Sequence, residues 1–143
     1  METKYLVAHT DDGVIRECEL ISHRLYKAFE NVYLIMFEFK TDNSNPKICI
    51  TLDFCSKYFR LSYPSYGNYN FIRFTREIDY ADFTGKFNSY IPKIKELFEQ
   101  YNLSEDYLNS KINEIKYDFK DLVYKEKIIV PTEKDLDWMK NFK

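Results

Sequence analysis

Apolar residues in the first half of the chain recur every second position, and in the second half at alternating steps of three and four. Side chains alternate across a strand and return to one face of a helix about every 3.6 residues, so the two halves predict strands and then helices. Lys4 to Thr10 is a short β-run, Asp12-Gly13 a turn pair that tolerates positive φ, and Val14 to Ile21 the hairpin partner. Ser22 is placed to cap a short helix with Leu25, Ala28 and Phe29 on one face and Asn31 at its end, although an extended reading through Tyr26 fits the same residues. Val32 to Lys40 is the strongest strand. Val32, Leu34 and Met36 point one way and Tyr33, Ile35, Phe37 and Phe39 the other, which predicts a central strand covered on both faces.

The polar run from Thr41 to Pro46 breaks the pattern. Lys47 to Cys55 then alternates, with Ile48, Ile50, Leu52 and Phe54 inward. Tyr58 to Tyr63 and Asn70 to Ile78 are expected as further strands. Beyond them, Ser89 opens an expected helix with Pro92 in its first turn and a stripe of Ile91, Ile94, Leu97, Phe98 and Tyr101. Ser104 caps the next helix, whose seam is Leu108, Ile112, Ile115, Phe119 and Leu122. Lys127 to Val130 suits a short edge strand. Thr132 and Asp135 resemble a capping box before a final helix with Leu136, Met139 and Phe142. Strands followed by helices predict an α+β fold: a mostly antiparallel meander sheet in the N-terminal half, packed by C-terminal helices. No linker, repeat or low-complexity tract interrupts it, so residues 1–143 are expected to form a single domain.

Composition narrows the functional classes. A formal net charge of −2 argues against a general basic footprint for nucleic acid. No apolar run approaches the ~18 residues of a membrane span, and the N-terminus lacks the apolar core of a signal peptide. Three cysteines without a C-x-x-C pair suit reduced thiols, so a soluble, cytoplasmic protein is expected. No cofactor or metal motif is present. Thirteen Tyr and twelve Phe stand against three Gly, and they concentrate between Phe54 and Tyr90. Such rings either thicken a core or present a contact surface.

Four constellations carry candidate chemistry. His9, Asp11 and Asp12 at the first hairpin, with Glu17, Glu19 and His23 nearby, contain the residue types of a metal or acid–base site, at spacings that match no metal signature. Cys49, Thr51, Asp53 and Cys55 share an expected strand face, where packing explains the cysteines better than nucleophilic catalysis. Tyr58-Phe59-Arg60 and Phe71 to Arg76 interleave rings and cations, as single-strand nucleic-acid platforms do. Arg73 and Arg76 nevertheless fall on opposite strand faces.

Tyr63-Pro64-Ser65-Tyr66-Gly67-Asn68-Tyr69 combines rings with small adaptable polar residues, the chemistry of a binding loop. From this loop follows the principal expectation: a non-enzymatic inhibitor, of the toxin-immunity or anti-defence kind, that blocks another protein sterically through Arg60, Tyr63, Tyr66 and Tyr69. A nucleic-acid-binding accessory protein using the sheet aromatics and arginines is the first alternative. A small hydrolase built around His9, Asp11 and His23 is the second.

Overall fold

The expected hairpins assemble into a six-stranded sheet: β1 (Thr3–Ala8), β2 (Ile15–Phe29), β3 (Val32–Lys40), β4 (Lys47–Asp53), β5 (Tyr58–Ser62) and β6 (Arg73–Phe74). The helical half supplies α1 (Glu77–Asn88), α2 (Ile91–Gln100), α3 (Glu105–Asp118) and a closing 3-10 turn, Phe119–Leu122. These elements come from a computed structural model that describes residues 3–8, 14–41, 45–62 and 72–123. Every strand pair is antiparallel, in the spatial order β5-β4-β3-β2-β1-β6. The fold is α+β, with a meander from β1 to β5 and a return that places β6 on the far side of β1. An isolated parallel bridge from Phe74 to Val123 brings the segment after the 3-10 turn back to that edge.

Two expectations about strand extents need correction. The segment from Ser22 to Phe29 is the second half of β2, not a helix, and its residues pair with β3 from Glu38 back to Val32. The apolar residues there fit either period, so the neighbour decides. A central β3 presents unpaired backbone groups to this side, and satisfying them outweighs a weak helical preference. Register shifts after Leu20 and after Lys27 leave Ile21 and Ala28 as extra residues. They bend the long strand and keep His23 and Leu25 on the same face as Leu20.

The second correction concerns Asn70 to Ile78. Among the described residues only Arg73 and Phe74 pair with β1, and α1 begins at Glu77. Beyond Phe74 one more backbone bond, from Thr75 N to the Leu6 carbonyl at 3.4 Å, is reinforced and then replaced by side chains. Thr75 Oγ1 donates to the Leu6 carbonyl at 2.8 Å, and the Leu6 N–H donates to Asp79 Oδ2 at 3.1 Å. Arg76 forks onto the same carboxylate through Nε and Nη2, both at 2.8 Å. The outer edge of β1 is therefore closed by the first turn of a helix.

α2 and α3 follow the sequence reading. Ile94, Leu97 and Phe98 are buried on α2. Leu108, Ile112 and Ile115 on α3 continue into buried Phe119 and Leu122. Ser104 Oγ accepts from Tyr107 N at 3.1 Å, the expected N-cap. Ser89 does not open α2; it ends α1, and Tyr90 occupies the cap position of α2. The expected strand Lys127 to Val130, the helix after Thr132 and the Asp12-Gly13 turn lie outside the described residues.

Between sheet and helices the core is largely aromatic. Nine of the twelve phenylalanines are buried, so the phenyl rings build mainly the interior, whereas Tyr5 is the one tyrosine buried in it among the described residues. Phe39, Tyr5, Phe74, Phe83, Phe119 and Phe87 form one chain of edge-on and tilted contacts. A second group gathers under β5, where Phe54 stacks on Tyr101 at 4.5 Å and touches Phe59 and Phe98.

Candidate partner-binding face

A strand sends alternate side chains to opposite faces, and the register fixes which residues share each face. Phe37, Ile35, Ile48, Ile50, Leu52, Phe59 and Leu61 all face the helices and are buried. Their sequence neighbours lie on the other face, in rows across four strands. One row, across three of them, is Arg24–Met36–Cys49, the next Tyr26–Leu34–Thr51–Arg60, and the last Phe29–Val32–Asp53–Tyr58. Val32, Leu34 and Met36 belong neither to the buried core nor to the side chains packed against it. Among the described residues no helix lies over them, and each is half-buried, so the described elements shelter β3 fully on the helical face alone.

Two cation–ring pairs frame the open face. The Arg24 guanidinium carbon lies 4.5 Å from the Tyr26 ring centroid on β2, and that of Arg60 lies 5.7 Å from the Tyr58 ring on β5. Arg60 Nη1 also donates to the Tyr58 hydroxyl, and its Nε donates to the Leu61 carbonyl at 3.3 Å. These contacts hold a planar guanidinium in place while leaving donors for a partner. Phe29, at the tip of the β2–β3 hairpin, is 74% exposed and Tyr58 is 48% exposed. Asn31 makes that tight hairpin possible with φ of 64°, and its side-chain oxygen accepts from the Tyr101 hydroxyl at 3.0 Å. The face also carries acid: Glu17 and Glu19 share it and approach Lys4 Nζ at 3.7 and 3.9 Å, while Glu38 sits opposite Lys47. Its charge is therefore mixed.

Of the expected contact residues, Arg60 is exposed on this face, whereas Tyr63, Tyr66 and Tyr69 lie outside the described residues. His9, Asp11 and Asp12 lie outside them too, so no description brings the two histidines together. His23 faces the helices. It stacks on Phe37, and its Nδ1 is 2.6 Å from the Tyr90 hydroxyl. Burial, and then the Lys86 ammonium, hold its pKa below 6.5. Close by, Asp82 receives hydrogen bonds from Tyr5 at 2.5 Å and Lys86 at 2.8 Å.

Arg76 is not a sheet-face cation; it is committed to Asp79 at the start of α1. Cys55 does not share the face of Cys49, because β4 ends at Asp53 and Cys55 lies in the turn. There its N–H donates to Asp53 Oδ1 at 3.0 Å. Burial pushes the Cys18 thiol up to about 12 and raises that of Cys49, which suits packing and opposes nucleophilic use.

The chain matches no protein-family model, no curated protein and no solved structure. The site is therefore read from its own geometry. Among the described residues no group of three or more His, Cys, Asp and Glu is placed to hold a metal, and no helix is long and apolar enough to cross a membrane. The sequence reading missed Arg24, Tyr26 and Phe29 as sheet-face residues, and singled out Tyr58 only beside Arg60 in the nucleic-acid reading. The signal was present as Arg-x-Tyr and Tyr-x-Arg, whose spacing of two puts ring and cation on one strand face. It was hidden at Arg24 by the helix expected there.

Proposed function

We propose that this protein is a non-enzymatic binding protein that blocks another protein by occupying its surface, with the open face of β2–β5 as the contact. The observation that carries this reading is the pairing of Arg24 with Tyr26 and of Arg60 with Tyr58 on either side of Leu34 and Thr51. Arg and Tyr are the residue types that dominate binding energy when a partner desolvates them, and an apolar centre with a charged rim is how such contacts are built. Three gaps of about 4.8 Å and three rows about 7 Å apart make the patch roughly 200 Å², about a quarter of one partner's share of a standard interface. The contact must extend beyond it. Tyr63, Tyr66 and Tyr69 follow directly from β5 and are the proposed continuation.

The test begins by capturing a partner from the source cell, identifying it and purifying it, and then titrating it with variants. Tyr26→Ala and Arg60→Ala should each weaken binding by about 2 kcal/mol. Ile78→Ala, exposed on α1 in the helical layer, should leave it unchanged. Equal affinity for all three variants refutes the assignment of this face. Rings and arginines sharing one sheet face also suit single-stranded nucleic acid, and the acidic residues beside them oppose it. An oligonucleotide titration at two salt concentrations separates the readings, since phosphate contacts give a steep salt slope.

A further inference from the structure

β5 is the outermost strand on its side, and among the described residues nothing pairs with its outer edge. Against it lies a groove of about 400 Å³, lined by Tyr58 and Phe59 from the strand and by Lys111, Glu114, Tyr117 and Asp118 from α3. Tyr58 and Phe59 are adjacent and point to opposite faces, so a groove touching both runs along the edge of the strand and not over either face. An unpaired edge offers a row of N–H and C=O groups to any extended chain. From Lys111 to Asp118 the helix rises about 10 Å, the length of three residues of strand.

We propose that this edge takes an extended acidic segment of the partner protein as an additional strand beside β5, with one aromatic side chain lowered into the groove. The inference rests on the protein-binding reading above and supplies the chemistry of the partner. A strand added at the edge alternates like its neighbour. Every second side chain enters the layer between sheet and helices, where the 66%-exposed Tyr117, with the Lys120 ammonium 4.2 Å from its ring centroid, and the rim of buried Phe59 line the groove. The residues on either side emerge on the open face next to Tyr58 and Arg60, where carboxylates meet the guanidinium. Lys57 also lines the groove and has no charge partner among the described residues, whereas Lys111 is held by Glu114 at 3.0 Å. Asp118 lines the far end of the α3 wall and disfavours an acidic residue there. The acidic positions therefore belong beside Lys57 and Arg60.

The first experiment needs no ligand. Hydrogen exchange of the free protein should show every second amide of Tyr58–Ser62 exchanging fast, since only the side facing β4 is bonded. Slow exchange at all of them means the edge is already covered and overturns the inference, leaving the open-face reading intact.

The second uses two peptides, acetyl-Thr-Glu-Phe-Glu-Thr-amide and its Glu-to-Lys counterpart, followed by NMR at millimolar concentration. The acidic peptide should shift amides of β5 and of Lys111–Asp118 saturably and bind about ten-fold tighter than the basic one, an order that Arg60→Glu reverses. No saturable shift, or shifts confined to Arg24, Tyr26, Leu34 and Met36, overturns the inference. With the purified partner, Tyr117→Ala should weaken binding alongside Tyr26→Ala. If only Tyr26→Ala does so, the groove is excluded and the face retained; if neither does, both fail.

Discussion

At the scale of single residues, the backbone tolerances of a few positions decide local stability. Gly85 lies inside α1, and a Cβ placed on it would meet nothing within 4 Å. A glycine in a helix costs backbone entropy with no compensating contact, so Gly85→Ala should stabilise the protein by about 0.5–1 kcal/mol, read from urea unfolding. A neutral or destabilising result would show that α1 is less regular here than its hydrogen bonds indicate. Asn31, Lys57 and Asn102 are the described non-glycine residues with positive φ. Two are Asn, the residue type that bears this conformation best, and the third closes the turn into β5. That turn also explains why Asp53 sits below its ordinary pKa: the Ser56 backbone, then its hydroxyl, and the Cys55 N–H all donate to it.

Among the elements, α3 depends most visibly on one residue at its start. Ser104→Ala removes the bond to Tyr107 N, and the expected loss is about 1 kcal/mol, measured as a lower urea midpoint with an unchanged slope. This cap was legible in the sequence because Ser precedes Glu105 and Asp106 and then an apolar seam. β1, β3, β4 and β5 were legible for a similar reason, since their alternation and turn signals agree. α1 was not. Arg76 stands at its N-cap with no side-chain cap bond, and Arg73 to Ile78 keeps a strand-like alternation into its first turn. The clue that remained was spacing by four, Phe83 with Phe87 and Asp82 with Lys86, both realised in the structure. The open face was half legible. Arg60 stood out beside rings, whereas Arg24 and Tyr26 become a sheet surface only when β2 reaches Phe29, a length imposed by β3.

Across the whole molecule, polar bonds tie β1 and β2 to the helical layer, and they make stability depend on pH. His23 has a lowered pKa in the folded protein, so the unfolded chain takes up a proton first. Stability is complete well above pH 6.5 and falls as the pH drops through 6.5 toward the lower folded value. His23→Gln should flatten that part of the profile, measured as urea midpoints across a pH series; an unchanged slope would assign the dependence to other groups. Asp82 acts in a separate window. Partial burial works against its charge, but bonds from Lys86 and Tyr5 prevail and keep its pKa below 3.8. Its contribution is therefore present above that pH and lost further into acid.

The placement of β6 beyond β1 carries a consequence for synthesis. β1 through β5 can zip together as each hairpin leaves the ribosome, yet the outer side of β1 receives Thr75 and Asp79 only after some seventy further residues have been made. At typical elongation speeds that interval is roughly 4 to 14 s. Throughout it, β1 offers an unguarded margin to neighbouring chains on the polysome.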